Sequence, residues 1–167
     1  MNDDDRVYVG SYQPKVYFGL NLGLHYKQFD FSADTYGNMG NRVYNGKKAQ
    51  RWGGENIEAA LADRWRRDHP SDEVPRAFNG NPVPSTYYVE KGNFFRFNNI
   101  TFGYAVKTPE PWKITKLRVY LSAQNAFMFQ KYSRFTPELP KGTLDSGLEL
   151  DAYPTSATYM IGVNIGF

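Results

Sequence analysis

The most constraining feature of the sequence is the strict alternation of its last residues, from Tyr159 to Phe167. Every second residue there is large and apolar, and the residues between are mostly small or polar. Because successive side chains of a β-strand point to opposite faces, this stretch predicts a strand with one apolar and one polar face. Such a strand, at about 9–11 residues, is long enough to cross a bilayer when tilted. An ordinary water-soluble strand with one buried face is the alternative. The apolar row consists of Tyr159, Ile161, Val163, Ile165 and Phe167.

Four earlier stretches show the same period of two. The clearest is residues 15–26, where alternate positions from Val16 to Tyr26 are apolar without interruption. In residues 93–106 the phase of the alternation changes at Asn98 and Asn99, which predicts a β-bulge, because one inserted residue restores the facing. The sequence therefore predicts five strands, at about 15–26, 28–37, 93–106, 117–130 and 156–167.

Short and long connections alternate between the predicted strands, and the first one is tight enough to predict an antiparallel hairpin. Apolar residues at helical spacing between Asn56 and Trp65 predict a short helix inside the first long connection. Outer-membrane barrels have short periplasmic turns and long outer loops. Placing Phe167 on the periplasmic side therefore puts both long connections outside the cell. The short connections are the turn near Lys27 and residues 107–116, and the long ones are residues 38–92 and 131–154.

The composition is compatible with a membrane barrel and excludes several other classes. Aromatic residues make up 17% of the chain, which suits aromatic girdles or a surface that binds sugars or peptides. The mean hydropathy of −0.62 and the lack of a long apolar run exclude a transmembrane helix, but not barrel strands. The net charge of +3 is too small to predict nucleic-acid binding. Cysteine is absent, which excludes disulfides and thiolate chemistry.

Five strands are too few to close a barrel, since small closed barrels have about eight. An open sheet in lipid would also leave two unpaired edges, which the hydrocarbon does not tolerate. We therefore expect the chain to pair with strands from elsewhere. The polar, acidic residues 1–6 do not resemble a signal peptide, so we expect the chain to be a portion of a longer exported protein.

No catalytic, cofactor-binding or metal-binding constellation is apparent in the sequence. His25 and His69 have no Cys or carboxylate partner at metal-ligand spacing, and we expect no enzyme activity. By parity, five polar-face side chains are candidates for facing a barrel lumen, although packing against a plug or each other explains them as well. Four loop residues are candidates for contact with a lid or ligand, although a self-packed loop explains them too. The lumen candidates are Tyr17, Tyr36, Arg96, Arg118 and Tyr120, and the loop candidates are Trp52, Arg64, Trp65 and Arg66.

The most distinctive stretch, residues 87–104, reads YYVEKGNFFRFNNITFGY. It resembles a late barrel segment of the SusC/RagA-type, TonB-linked outer-membrane transporters. The segment from Asp3 to Leu22, residues 117–125 and residues 144–154 are similar to that family as well. The apolar row that ends at Phe167 resembles the assembly signal of outer-membrane barrels. The likeness covers nearly the whole chain, as the C-terminal portion of a much longer protein.

The resemblance implies an all-β, antiparallel transmembrane barrel of about 22 strands with a plugged lumen and long extracellular loops. It implies import of oligosaccharides or peptides across the outer membrane of a Gram-negative, Bacteroidota-like bacterium. The implied partners are the rest of the barrel, the plug, the lipid bilayer, a SusD-like surface lipoprotein, and TonB acting through a missing N-terminal part. The chain departs from the family in lacking the plug and the TonB-contacting segment. The alternative is a soluble β-rich carbohydrate-binding domain, which predicts that Ile161, Val163 and Phe167 are buried.

Overall fold

A computed structural model describes residues 3–50, 59–77, 83–139, 146–150 and 152–167. Within those ranges the chain forms a mostly antiparallel β-structure with one short α-helix, and no described helix is long and apolar enough to cross a membrane. In chain order the elements are β1 (Val16–Tyr26), β2 (Phe29–Met39), β3 (Arg42–Asn45), α1 (Gly46–Gln50), β4 (Val89–Lys91), β5 (Phe94–Val106), β6 (Lys116–Gln130), β7 (Leu148–Glu149) and β8 (Thr158–Gly166).

The five long strands form one antiparallel sheet in the order β1-β2-β5-β6-β8, and the predicted fold class is confirmed. β1 and β2 are joined by a tight turn in which Lys27 adopts a left-handed conformation, with φ of 54°. β2 continues beyond its predicted end because Asn38 and Met39 still pair with Tyr17 and Val16 of β1. β1 and β8 are the outer strands, and neither has a partner on its outer side among the described residues.

The phase change predicted at Asn98 and Asn99 is confirmed as a β-bulge in β5. Phe97 and Asn99 pair with adjacent residues of β2, so Asn98 is the extra residue. The register between β5 and β6 shifts at the same level, where Asn125 has a φ of 52°. These irregularities keep Phe97 on the face that carries Ile100, and the apolar face therefore continues to the end of the sheet.

The apolar rows of all five strands lie on the same side of the sheet. The register aligns one apolar residue from each strand across its full width: Leu24, Phe31, Phe102, Leu121 and Ile161. No described segment covers this row, since Leu24 is 58% exposed and Ile161 is 78% exposed. In the terminal row, Val163 is 52% exposed and Phe167 is 89% exposed. The burial that a soluble carbohydrate-binding domain predicts for these side chains is therefore not observed.

The two long connections fold together into a layer at one end of the main sheet. β3 pairs with β4 and, in parallel, with β7, so strands from both connections form a single three-stranded sheet. This loop layer contains the best-buried side chains of the described chain, Val43, Asn45 and Glu149. The sequence pattern predicts no strands in these connections. Their strands are only two to four residues long, too short for alternation to be detected.

The sequence pattern predicts a short helix between Asn56 and Trp65 in the first connection. The α-helix lies at Gly46–Gln50, whereas the predicted segment contains a 3-10 helix at Ala59–Asp63. Trp65 lies in a turn, where its backbone N–H donates to the carbonyl of Val74 at 2.9 Å. Residues 56–58 lie outside the described residues.

Candidate binding cleft between the sheet and the loop layer

A cleft of about 870 Å³ lies where the polar face of the main sheet meets the loop layer. Its floor comes from β1, β2 and β5, and its walls come from the N-terminal segment, from β3 and from the connection that follows β6. The volume falls in the range of about 300–1,000 Å³ that ligand sites occupy. The lining is aromatic, amide-bearing and sparsely charged. Its principal side chains are Tyr12, Tyr17, Tyr36, Asn38, Asn41, Arg42, Phe94 and Glu138.

Tyr36 forms the floor of this cleft beside Arg96, because the register places the two opposite each other on β2 and β5. Arg96 is only 4% exposed. Its guanidinium donates to Asn125 Oδ1 at 3.2 Å and to Thr155 Oγ1 at 3.3 Å. The parity of the sequence predicts that Tyr36 and Arg96 share a face, and the structure brings them into one cluster.

Glu138 completes this cluster from the connection after β6. Its carboxylate accepts a hydrogen bond from the hydroxyl of Tyr36 and forms an ion pair with Arg96. The Arg96 and Glu138 side chains are 4% and 25% exposed, so the pair is largely shielded from water. Each charged group is stabilised by the other, since an isolated buried charge is strongly unfavourable. The segment around Glu138 is therefore tied to the sheet and forms one fixed wall of the cleft.

Two asparagines of the cleft carry unsatisfied acceptors. Asn38 is 9% exposed and Asn41 is 6% exposed, and the side-chain oxygen of each is buried without a hydrogen-bond partner in the described structure. Leaving such an acceptor unpaired costs about 1–3 kcal/mol, and both oxygens lie beneath the surface of the cleft. Together with the aromatic rings, these amides suit the binding of a polar organic ligand. Among the described residues, no group of His, Cys, Asp and Glu could hold a metal ion.

Arg118 and Tyr120 lie elsewhere on the polar face, nearer the short turns. Arg118 Nε donates to Asp30 Oδ1 at 2.8 Å, and a second bond completes a bidentate pair. The Arg118 guanidinium also lies 5.0 Å from the centre of the Tyr120 ring. Two glycines make room for these groups, because a Cβ atom at Gly103 or Gly162 would lie under 3.0 Å from Arg118 or Tyr120. Near the short turns, the side chains of the polar face therefore pack against one another.

Gly162→Ala is expected to lower the free energy of unfolding by about 1–3 kcal/mol, because the new methyl group overlaps the Tyr120 ring. Gly23→Ala in β1 is the matched control, since no neighbouring atom lies within 4 Å of where a Cβ atom at Gly23 would be. Denaturant titrations of both variants in detergent micelles measure the difference. Equal losses of unfolding free energy in the two variants would contradict the packing of the Tyr120 ring against Gly162.

The loop candidates are not brought to the cleft. Arg64, Trp65 and Arg66 lie in a turned segment closed by backbone hydrogen bonds between Arg66 and His69. Trp65 is 41% exposed, and none of the three lines the cleft. Trp52 lies outside the described residues. A surface contact of these residues with a lid or ligand therefore stays a prediction.

Several cleft residues were missed at the level of sequence. Asn38 has the same parity as Tyr36 in an alternating strand, so its position was accessible from the pattern. Glu138 gives no such signal, because its partner Tyr36 lies 102 residues away along the chain. Arg42 and Asn41 belong to a region where no periodicity marks a strand.

Two carboxylates, the half-buried Glu90 and the buried Glu149, hold the loop layer, and with it the cleft walls, in place. Glu90 accepts from Asn45 Nδ2 at 2.8 Å and from the N–H and hydroxyl of Ser133, both at 2.9 Å. Glu149 accepts from the hydroxyl of Tyr132 at 3.2 Å, and burial raises the pKa of that hydroxyl. The bonds between Glu90 and Ser133 link the first long connection to the second, as does an ion pair between Lys47 and Glu149 at 3.8 Å.

Acid is expected to loosen the loop layer through Glu90. Burial raises the pKa of this carboxyl, but hydrogen bonds from Asn45 and Ser133 outweigh it and bring the pKa below its ordinary value. The stabilisation is therefore full above the unfolded-state pKa of about 4.3 and is lost as pH falls through the lower folded-state value. The hydrogen-exchange rate of the Ser133 amide is measured from about pH 6 downward and divided by the intrinsic chemical exchange rate at each pH. The corrected rate should rise as the pH falls. Glu90→Gln should flatten this dependence, and an unchanged slope would contradict the assignment.

Comparison with family models finds no match, but similarity to individual proteins covers the chain. The chain is 30% identical over 182 residues to "TonB-dependent receptor P26" of Formosa agariphila, with 100% of this chain and 18% of that protein aligned. It is 26% identical over 156 residues to "TonB-dependent receptor SusC" of Bacteroides thetaiotaomicron, with 91% of this chain and 15% of that protein aligned. The chain thus spans less than a fifth of the length of these relatives.

Solved structures show the same relationship. The chain superposes on a chain of the RagAB peptide transporter with a TM-score of 0.78 at 26% identity, covering 95% of this chain and 18% of that one. The "open-open" state of the RagAB peptide importer gives a TM-score of 0.72 at 26% identity, covering 93% and 17%. The sheet described above therefore matches a fragment of a larger barrel and is not closed within the chain.

Proposed function

Because the chain is a homologue of part of the barrel of SusC/RagA-type TonB-dependent receptors, we propose that it forms the C-terminal wall of an outer-membrane nutrient importer. The observation that carries this proposal is the apolar face that runs exposed across all five strands. The opposite face is polar and opens into a cleft of ligand size. A lipid environment on one side and a watery lumen on the other accounts for both faces.

In this proposal the apolar face contacts the hydrocarbon of the outer membrane of a Gram-negative bacterium. β1 and β2 each have 11 residues, and at about 3.3 Å per residue and a tilt of about 45° they span about 25 Å. Aromatic residues lie at both ends of the band, where the girdles of barrels occur. Tyr26 and Tyr104 lie near the short turns, and Phe95 and Phe129 lie near the loop layer. The short turns then face the periplasm and the loop layer faces the outside.

The outer edges of β1 and β8 need partners, because unpaired backbone groups in hydrocarbon cost several kcal/mol each. The remaining strands of a larger barrel would supply them, in keeping with the greater length of the relatives. A plug would then fill the lumen against the polar face, and TonB would drive transport through a part of the protein beyond this chain. No enzymatic step, cofactor or nucleic acid enters this proposal.

The cleft is the proposed contact site for the imported ligand, an oligosaccharide or a peptide. Its aromatic rings and polar side chains are compatible with both classes. One structural relative is described as a peptide transporter, which favours a peptide. A SusD-like lipoprotein would cover the loop layer, where exposed Trp65 with Arg64 and Arg66 offers a contact surface.

Uptake by cells whose only importer is the receptor that carries this chain tests the proposal, with dye-labelled oligopeptides and oligosaccharides as probes. Tyr17→Ala should lower uptake of one probe class about five- to tenfold, because Tyr17 is an aromatic anchor of the cleft. Tyr153→Ala is the matched control, since Tyr153 is 90% exposed and lies outside the cleft. Uptake that persists after deletion of the receptor, or equal uptake by the two variants, would refute the proposed function.

A further inference from the structure

A second pocket, of about 410 Å³, lies beside the cleft and has a different chemical character. Three cationic side chains line it, from Lys15 before β1, Arg42 in β3 and Lys91 in β4. The amides of Asn41 and Asn93 complete its polar lining. None of the described lining residues is acidic. The pocket therefore concentrates positive charge that its own walls do not compensate.

Two of these cationic side chains lie where they repel each other unless an anion binds between them. Arg42 and Lys91 are directly opposite each other in the antiparallel pair of β3 and β4, and like charges in such positions destabilise a sheet. No hydrogen bond or ion pair joins the charged group of Lys15, Arg42 or Lys91 to another described residue. By contrast, Arg96 and Arg118 are both matched with carboxylates.

The neighbouring backbone and amides shape the pocket for a negatively charged group. Asn93 Oδ1 accepts the N–H of Gly40 at 2.9 Å, which leaves the Nδ2 hydrogens of Asn93 as donors for a ligand. Gly40 has a φ of 90°, and the Lys15 stem passes under 3.0 Å from where a Cβ atom at Gly40 would lie. The glycine thus allows the lysine chain to cross the turn beside the pocket.

We propose that this pocket binds a phosphomonoester group. Three cations and an amide donor match the charge of about −1.5 to −2 and the several acceptor oxygens of such a group, whereas a single carboxylate would leave excess positive charge. The phosphate could belong to a lipid headgroup or to a soluble ligand. Val16 and Met39 next to the pocket belong to the apolar face and are each 52% exposed. Under the proposed membrane placement, on which this point rests, the pocket lies at headgroup level, which favours a lipid.

The test uses the whole protein that carries this chain, purified in detergent micelles, with three probes: inorganic phosphate, phosphatidic acid, and diacylglycerol with the same acyl chains. The double variant Lys15→Ala, Lys91→Ala should weaken binding of phosphatidic acid about tenfold or more, and neither residue lines the cleft. Lys91→Arg should retain most of the binding, because it keeps the charge. Lys107→Ala, at the opposite end of the sheet, should bind as the parent does. Heat-shift gels show that each variant is folded.

Charge-dependent binding of phosphatidic acid but not of inorganic phosphate supports a lipid source, and charge-dependent binding of both supports a soluble source. Equal affinity of the double variant and the parent would overturn the site. Diacylglycerol binding as tightly as phosphatidic acid would overturn the phosphate assignment. Loss of the phosphate site with normal ligand uptake would leave the importer proposal standing, so the two failures are distinguishable.

Discussion

Val163→Arg is expected to lower the free energy of unfolding in lipid vesicles by about 1–3 kcal/mol, because a cation on the lipid face costs about 2–4 kcal/mol at the membrane midplane and less towards the interface, and Val163 shares its register row with Tyr104. Val163 lies in the apolar row of β8 opposite Val119 of β6, and it is 52% exposed. No described segment covers that row, so the arginine would meet hydrocarbon. Urea titration of vesicle-embedded protein measures the loss.

Met160→Arg provides the matched control for that experiment. Met160 lies in the same strand, on the opposite face and beside Ser122, and is 40% exposed. A cation there would point to the lumen, where water and polar groups solvate it, and the expected loss is much smaller. Equal unfolding free energies for the Val163 and Met160 variants would contradict lipid exposure of the Val163 row.

Arg96→Ala is expected to cost about 3–5 kcal/mol, because it removes one partner of a buried ion pair and leaves the other uncompensated. Arg96 is 4% exposed, and Glu138 would keep only the hydroxyl of Tyr36 as a partner. The segment around Glu138 should detach from the sheet, so its amides should also exchange faster. Unfolding titrations combined with hydrogen exchange measure both effects.

The pair of Arg118 and Asp30 offers a comparison within the same sheet. Their side chains are 21% and 31% exposed, so water screens that pair and Arg118→Ala should cost less than Arg96→Ala. Glu138→Gln, alone and combined with Arg96→Ala, completes a double-mutant cycle that isolates the coupling energy. A loss for Arg96→Ala no larger than that for Arg118→Ala would refute the buried pair.

The main sheet was predictable because its signal is local. Alternation over residues 15–26 and 117–130 determines which side chains share a face, whatever the partner strand is. The bulge at Asn98 was visible for the same reason, since an extra residue shifts the phase within one strand. Tyr36 and Arg96 were placed on the polar face by the same rule, and their cross-strand pairing follows from the register. Their role toward a lumen stays a prediction.

The loop layer and most of the cleft were not predictable, because they depend on contacts distant in sequence. β3 and β7 are held by pairing between the two long connections, and strands that short carry no pattern of their own. Glu138 reaches Tyr36 across 102 residues. The α-helix at Gly46–Gln50 was not predicted, because its five residues are too few to show an apolar repeat.

The central claim is that one face of the sheet contacts lipid while the other faces an aqueous interior. The chain contains no cysteine, so single cysteines can be placed at successive positions from Tyr159 to Ile165 and labelled with a fluorophore in vesicles, provided that any cysteines elsewhere in the protein are removed. Quenching by lipid-attached nitroxides should be strong at positions 159, 161, 163 and 165 and weak at 160 and 164. Uniform quenching along the strand, or none at the odd positions, would contradict the claim.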